Sequence, residues 1–114
     1  MKKLLLIFGT RPEAIKFAPL IKKLQSYPQH FEVKTCTTGQ HKTMLKQVLD
    51  FFGIEPDFEL DTMVLDQTLF DISANVLLAL KEVFDKKYDP EYVIVQGDTT
   101  TAMIGALSAF YHKK

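Results

Sequence analysis

The chain has 114 residues, of which 46% are hydrophobic, and its 14 basic residues balance 14 acidic ones. This length and apolar content suit one domain, or part of one, with a real core, and they exclude a disordered tail. The balanced charge gives no overall field that would favour nucleic acid or a membrane surface. We therefore expect neither as a partner, and we expect any anion to be bound at a local site.

The cysteine usage and the start of the chain both indicate a cytoplasmic protein. The single cysteine, Cys36, cannot form an internal disulfide and lies in an apolar run, so we expect a buried residue in a reducing compartment rather than a reactive thiol. The apolar run at residues 4–8 is too short for the core of a secretory signal, and no stretch approaches the roughly 20 apolar residues of a membrane span.

Hydrophobic periodicity divides the chain into alternating strands and helices. Strands are predicted at residues 4–8, 31–37, 56–60 and 92–95, the third of them weakly. Helices are predicted from 10 to about 26, over 44–52, from 68 to about 86, and from 99 to about 111. This order predicts an α/β fold, a Rossmann-like parallel sheet with helices on both faces, joined by right-handed crossovers.

Two of the predicted helices begin with a capping-box pattern, in which a threonine is followed three residues later by an acid. The first pattern joins Thr10 and Glu13, and Pro12 lies in the first turn, where its missing N–H costs nothing. The second joins Thr68 and Asp71. The apolar positions of the first helix allow two core faces, either Ile15, Ala18, Ile21 and Leu24 or Phe17, Leu20, Ile21 and Leu24.

The loops that follow the strands are where chemistry is expected, because ligands of open parallel sheets bind beyond the carboxyl ends of the strands, near the point where strand order reverses. In the first loop, Gly9 lets the backbone approach a ligand, and the helix start offers unpaired N–H groups. Arg11 and Lys16 add two cations, and together these features suit a diphosphate. The alternative is that Glu13 pairs with Lys16 or Arg11 on the surface and the loop only caps a helix.

Two later loops carry further candidates. Asp98 follows the clearest strand and is either a helix N-cap, an acid/base or a ligand-orienting carboxylate, roles that can coexist. His41, preceded by Gln40, could bind an anion or act as an acid/base, or it could make a surface hydrogen bond. No cluster of Cys, His or Asp has the spacing of metal ligands, so no metal is expected.

Four segments together carry a family resemblance: "GTRPEAIKFAPL" at 9–20, "TTGQHKTML" at 37–45, "DQTLFDI" at 66–72 and "VQGDTTTAM" at 95–103. In order and spacing they closely resemble the N-terminal part of the non-hydrolysing UDP-N-acetylglucosamine 2-epimerases. Lys16, after "AI", favours this group over the hydrolysing relatives, which share "GTRPE" but usually lack "AIK".

The resemblance implies two Rossmann-like domains arranged as in GT-B glycosyltransferases, with residues 1–114 forming the N-terminal part of the first. It implies interconversion of UDP-GlcNAc and UDP-ManNAc, without a cofactor or required metal, by elimination of UDP to 2-acetamidoglucal and its re-addition. Arg11, Lys16 and Asp98 fall on residues of the family that face the substrate, with Asp98 a candidate in catalysis. Gln40 and His41 fall on an allosteric site for a second UDP-GlcNAc. The full-length enzyme is expected to be a homodimer.

The chain departs from the family pattern in two ways. Asp66 stands before "QTL" where many members have arginine or glycine, and the later "GHVEAGLRT" segment, which supplies a catalytic glutamate, is not in this sequence. We therefore expect an N-terminal fragment without epimerase activity of its own. The alternatives are a hydrolysing epimerase, a GT-B glycosyltransferase or a stand-alone nucleotide-binding α/β module.

Overall fold

The computed structural model describes residues 1–39, 42–62 and 66–114. Its strands are β1 (Lys2–Phe8), β2 (Phe31–Thr37), β3 (Phe58–Glu59) and β4 (Tyr92–Ile94). Its helices are α1 (Arg11–Gln25), α2 (Lys42–Phe52), α3 (Leu69–Glu82), which continues into a π-helical turn at Val83–Lys87, and α4 (Thr100–Tyr111). Strands and helices alternate, so the predicted α/β order is confirmed.

The described strands form one parallel sheet in the order β3-β2-β1-β4. In its register, Leu4 of β1 lies opposite Val33 of β2 on one side and Tyr92 of β4 on the other. From β1 the chain moves outward to β2 and β3, and then crosses back to the other side of β1 to form β4. Strand order therefore reverses between β1 and β4, and the loops after these two strands meet at that switch point.

The central strand β1 is buried on both faces, as its unbroken apolar run predicts, because side chains of a strand alternate between the faces of the sheet. One face packs against α1 and α2 in a cluster of Leu4, Leu6, Phe8, Ala14, Phe17, Ala18, Ile21, Leu45, Val48, Leu49 and Ile54. The other face packs against α3 and α4 in a cluster of Leu5, Ile7, Cys36, Val76, Leu80, Phe84 and Ile104. Helices therefore cover both faces of the sheet, and β1 lies between the two hydrophobic clusters.

Neither predicted core face of α1 is right as a whole. The buried residues of α1 include Ala14, Phe17, Ala18 and Ile21 at the spacing i, i+3, i+4, i+7, whereas Ile15 is 47% exposed. Leu20, which belonged to the other predicted face, is also exposed. The core face of α1 therefore combines residues from each predicted face with Ala14, which neither prediction included.

The end of α3 is held by polar contacts around Asp85. Lys81 Nζ donates to Asp85 at 2.8 Å, and His112, after α4, places Nε2 3.0 Å from the same carboxylate. Lys81 and His112 lower the pKa of Asp85 through these hydrogen bonds. The His112 ring also stacks on Phe84 with centroids 4.7 Å apart, so the end of α4 is docked on α3.

Candidate functional site

The loop after β1 leads into α1 through the predicted capping box. Thr10 is the N-cap, and Glu13 returns its side chain to the loop. Glu13 Oε1 accepts hydrogen bonds from the N–H groups of Gly9, at 2.9 Å, and Thr10, at 3.1 Å. Glu13 is only 3% exposed and has no ion pair with a described residue, so the expected alternative of a surface pair with Arg11 or Lys16 is wrong.

This geometry changes how the start of α1 can hold an anion. The sequence predicted unpaired N–H groups at the helix start, and the structure shows that the N–H groups of Gly9 and Thr10, just before α1, both donate to Glu13. The cations remain available, because the side chains of Arg11 and Lys16 are exposed and no described residue gives either one a hydrogen bond or an ion pair. The two cationic side chains of α1, rather than the N–H groups of Gly9 and Thr10, are therefore the groups open to an anion.

The loop after β4 leads into α4, and its cap is Thr99 rather than Asp98. Thr99 Oγ1 accepts from the N–H of Ala102 at 3.2 Å and donates to Glu13 Oε2 at 2.5 Å. The capping role proposed for Asp98 is wrong because the first helical residue is Thr100, which makes Thr99 the preceding residue. Asp98 is exposed, and no described residue hydrogen-bonds its side chain, so its carboxylate is open to a ligand.

The two loops lie side by side at the switch point. Leu6 of β1 is opposite Ile94 of β4, and the same spacing carried beyond the strands sets Gly9 next to Gly97. The backbone of Gly97 adopts a φ of +95°, and a Cβ built there would lie 3.6 Å from Glu13 Oε2. The carboxylate of Glu13 thus contacts both loops, and the structure brings the segments of Arg11 and Asp98 to one edge of the sheet.

The loop after β2 is tied to the first turn of α4. The hydroxyl oxygens of Thr38 and Thr101 lie 3.0 Å apart, and Thr62 donates to the Thr38 carbonyl at 2.7 Å. The predicted effector residues Gln40 and His41 come next in the chain and lie outside the described residues. Asp66, the departure from the family pattern, has a left-handed φ of 60°.

The sequence analysis did not predict that threonines at the carboxyl ends of the strands would link the loops there. The buried residues Thr38 and Thr101 and the half-buried Thr99 link loops that are far apart in the chain. The runs "TTG" at 37–39 and "DTTT" at 98–101 are the available signal, since threonine at a strand end or helix start commonly bonds nearby loops.

Three further features of the described residues concern metal binding, the Cys36 thiol and the length of the helices. The described residues contain no group of three or more His, Cys, Asp or Glu side chains placed to hold a metal ion. Burial raises the pKa of the Cys36 thiol to about 12, against a smaller opposing effect of Lys87, which agrees with the predicted unreactive residue. Over the same residues, no helix has the length and apolar character needed to cross a membrane.

Two surface clefts lie near the helices of one face. The larger, of about 610 Å³, runs between α2 and the β3 edge and lies away from the switch point. The smaller, of about 380 Å³, is an apolar groove between α1 and α2, lined by Arg11, Ile15, Gln47, Val48, Phe51 and Phe52. Only the groove reaches a predicted site residue of the described chain, Arg11.

Comparison with known proteins gives consistent matches. Residues 22–113 match the family model described as UDP-N-acetylglucosamine 2-epimerase. The UDP-N-acetylglucosamine 2-epimerase of Bacillus subtilis is 51% identical over 115 residues, covering 99% of this chain and 30% of the relative. The UDP-GlcNAc 2-epimerase of Neisseria meningitidis, solved bound to UDP-GlcNAc, matches with a TM-score of 0.91 and 45% identity over 97% of this chain and 29% of that one.

A more distant structure agrees. The UDP-GlcNAc 2-epimerase of Methanocaldococcus jannaschii, solved in complex with UDP-GlcNAc and UDP, matches with a TM-score of 0.88 and 32% identity over 97% of this chain and 30% of that one. The chain therefore spans less than a third of the length of these relatives.

Proposed function

Because the chain belongs to the UDP-N-acetylglucosamine 2-epimerase family, we propose that it forms the N-terminal part of an enzyme that interconverts UDP-GlcNAc and UDP-ManNAc. One observation carries the proposal: two polar loops meet at the switch point of a chain that matches, over 97% of its length, a structure bound to UDP-GlcNAc. The activity belongs to the full-length protein, in which these residues and later ones enclose the substrate, and the 114 residues alone are inactive.

Arg11 and Lys16 hold the diphosphate. Their side chains are exposed and without partners among the described residues, so neither has to leave an existing ion pair to bind phosphate. Arg11 offers a planar fork that can donate two parallel hydrogen bonds, and Lys16 offers a point charge about one and a half turns further along α1. The interaction of these cations with UDP becomes more favourable as the C1–O bond breaks, because UDP gains negative charge as it leaves.

The reaction needs a proton removed from C2 and another delivered to its opposite face. A base takes the C2 proton as UDP leaves C1, which gives 2-acetamidoglucal. Protonation of C2 on the other face and return of a UDP oxygen to C1 complete the inversion. Holding UDP at Arg11 and Lys16 keeps the nucleophile beside C1 throughout, so its return is effectively intramolecular. Asp98 lies on the neighbouring loop and acts on the sugar, as an acid/base or by orienting it.

Several finer features belong to the same proposal. The full-length protein is a cytoplasmic GT-B-type homodimer that works without a nicotinamide or a required metal, by the non-hydrolysing route. Gln40 and His41 bind a second UDP-GlcNAc as effector. The support for these features is the motif resemblance in the segments at 9–20, 37–45, 66–72 and 95–103.

Product analysis of the full-length protein tests the proposal. Incubated with UDP-GlcNAc in D₂O, it should form UDP-ManNAc that carries deuterium at C2, observed by proton and phosphorus NMR. Free ManNAc together with free UDP would instead identify the hydrolysing reaction. Absence of any change in UDP-GlcNAc would contradict both. The isolated 114-residue chain is the control and should leave the substrate unchanged.

A further inference from the structure

Glu13 is a buried carboxylate whose contacts reach two separate segments of the chain. Oε1 accepts from two backbone N–H groups of the loop after β1, and Oε2 accepts from Thr99, 86 residues further along, in the loop after β4. At 3% exposure, Glu13 is shielded from water. A buried carboxylate that accepts several hydrogen bonds is held firmly, because each lost bond leaves charge unsatisfied.

The residues that Glu13 contacts flank the residues proposed to meet the substrate. Its backbone partners Gly9 and Thr10 directly precede Arg11. In the other loop, Glu13 accepts a hydrogen bond from the Thr99 hydroxyl and lies against Gly97, and Asp98 stands between these two residues. Asp98 receives no side-chain hydrogen bond from a described residue, so its position depends on its neighbours in the chain.

We propose that Glu13 is a positioning residue that fixes the spacing between the loops after β1 and β4, so that Arg11 and Asp98 address one UDP-sugar. This inference rests on the proposed epimerase function. Glu13 does not touch the substrate, because both of its oxygens are occupied by the protein and the side chain is buried. The proposed role requires a side chain at position 13 that is long enough to contact both loops, a property called its reach below.

Two substitutions in the full-length protein separate reach from charge. Glu13→Gln keeps the length of the side chain, and its amide can accept from the first loop and donate to Thr99, so kcat should stay within about fivefold of the wild type. Glu13→Asp keeps the charge but is one methylene shorter and cannot contact both loops. Its kcat should fall about 100-fold, the loss expected when a reacting group is displaced by about 1 Å.

The Michaelis constant separates positioning from loss of binding. KM for UDP-GlcNAc should change less than about threefold in Glu13→Asp, because Arg11 and Lys16 remain on α1, which stays anchored by its buried core residues. The matched control is Glu82→Asp, which makes the same change at an exposed glutamate at the end of α3 and should leave both constants unchanged. If Glu13→Gln loses more kcat than Glu13→Asp, charge rather than reach matters and the proposal is overturned.

A double-mutant cycle tests whether Glu13 acts through Asp98. Adding Glu13→Asp to Asp98→Asn should lower kcat by less than about threefold, because the group that Glu13 positions is already disabled. A full additional loss of about 100-fold would show independent action and overturn the proposal.

A measurement that does not depend on turnover distinguishes failure of this inference from failure of the proposed function. Backbone order parameters of Gly97 and Asp98, measured by NMR relaxation, should drop from about 0.85 to below about 0.6 in Glu13→Asp and stay high in Glu13→Gln. Unchanged order in Glu13→Asp would overturn the positioning role. A wild-type protein without epimerase activity would defeat the proposed function, while the order parameters would still decide the role of Glu13.

Discussion

Thr99 rather than Asp98 should carry the stability of the start of α4. Thr99→Ala removes the N-cap bond to Ala102, worth about 1 kcal/mol. It also removes the donor to Glu13 Oε2, and a buried acceptor left without a partner costs about 1–3 kcal/mol. The substitution should therefore lower the free energy of unfolding by about 2–4 kcal/mol. Asp98→Ala should change it by less than about 0.5 kcal/mol, since Asp98 is exposed and makes no side-chain hydrogen bond to a described residue.

Urea denaturation of the 114-residue chain, followed by circular dichroism at about 222 nm, measures this difference. With a slope of about 1.5 kcal/mol/M, Thr99→Ala should lower the midpoint by about 1.3–2.7 M. Thr99→Ser keeps the hydroxyl and is the matched control, expected to lose less than about 1 kcal/mol. The assignment of the cap would be refuted if Asp98→Ala destabilised the chain as much as Thr99→Ala.

Three further predictions follow from other parts of the structure. In the full-length protein, Arg11→Lys should raise KM for UDP-GlcNAc about tenfold by removing a charge-assisted hydrogen bond, and an unchanged KM would argue against phosphate contact. Gly39→Ala should cost at least about 2 kcal/mol in urea denaturation, because the residue has a φ of +85° and its Cβ would lie 2.6 Å from the Leu60 carbonyl oxygen. Gly53→Ala, where φ is +66° and the space is open apart from the Lys22 side chain at 3.6 Å, is the control and should cost less than half as much. The Cys36 thiol should stay unreactive toward a disulfide reagent at about pH 8 until the chain unfolds, since the thiolate is the reactive form.

The raised pKa of Cys36 gives the last prediction a pH dependence. The folded state holds the thiol neutral up to a pKa of about 12, whereas the ordinary value is 9.0. Its contribution to stability is therefore complete below pH 9 and is lost as the pH rises from there toward 12. The difference in unfolding free energy between wild type and Cys36→Ala, measured at rising pH, should shrink over this window. A constant difference would contradict the burial of the thiol.

Local signals in the sequence predicted most of the elements. The bounds of β2 agree with the prediction residue for residue, and both capping boxes form where the threonines and acids indicated. The prediction of strand β1 fell short by two residues, because Lys2 and Lys3 join the ladder through their backbones while their side chains stay exposed. Strand pairing depends on the backbone groups of the neighbouring strand, and the hydrophobic pattern of the side chains does not indicate where that pairing begins.

The site was predictable only in part. The loops after β1 and β4 followed from the rule for parallel sheets, and the structure places them together. The bond between Glu13 and Thr99 joins residues 86 apart, and no local pattern encodes such a contact. Glu13 is buried against the second loop rather than paired with Arg11 on the surface, and Thr99 takes the cap position that the sequence also allowed for Asp98. The roles of Arg11, Lys16 and Asp98 toward a substrate stay predictions.

A crystal structure of the full-length protein with UDP-GlcNAc would test the central claim most directly. We expect the diphosphate oxygens to lie about 3 Å from the Arg11 guanidinium, with Lys16 also facing the diphosphate. The Asp98 carboxylate should lie within hydrogen-bonding reach of the sugar. A UDP-GlcNAc molecule bound away from the loops after β1 and β4, with Arg11 and Asp98 both facing solvent, would contradict the account.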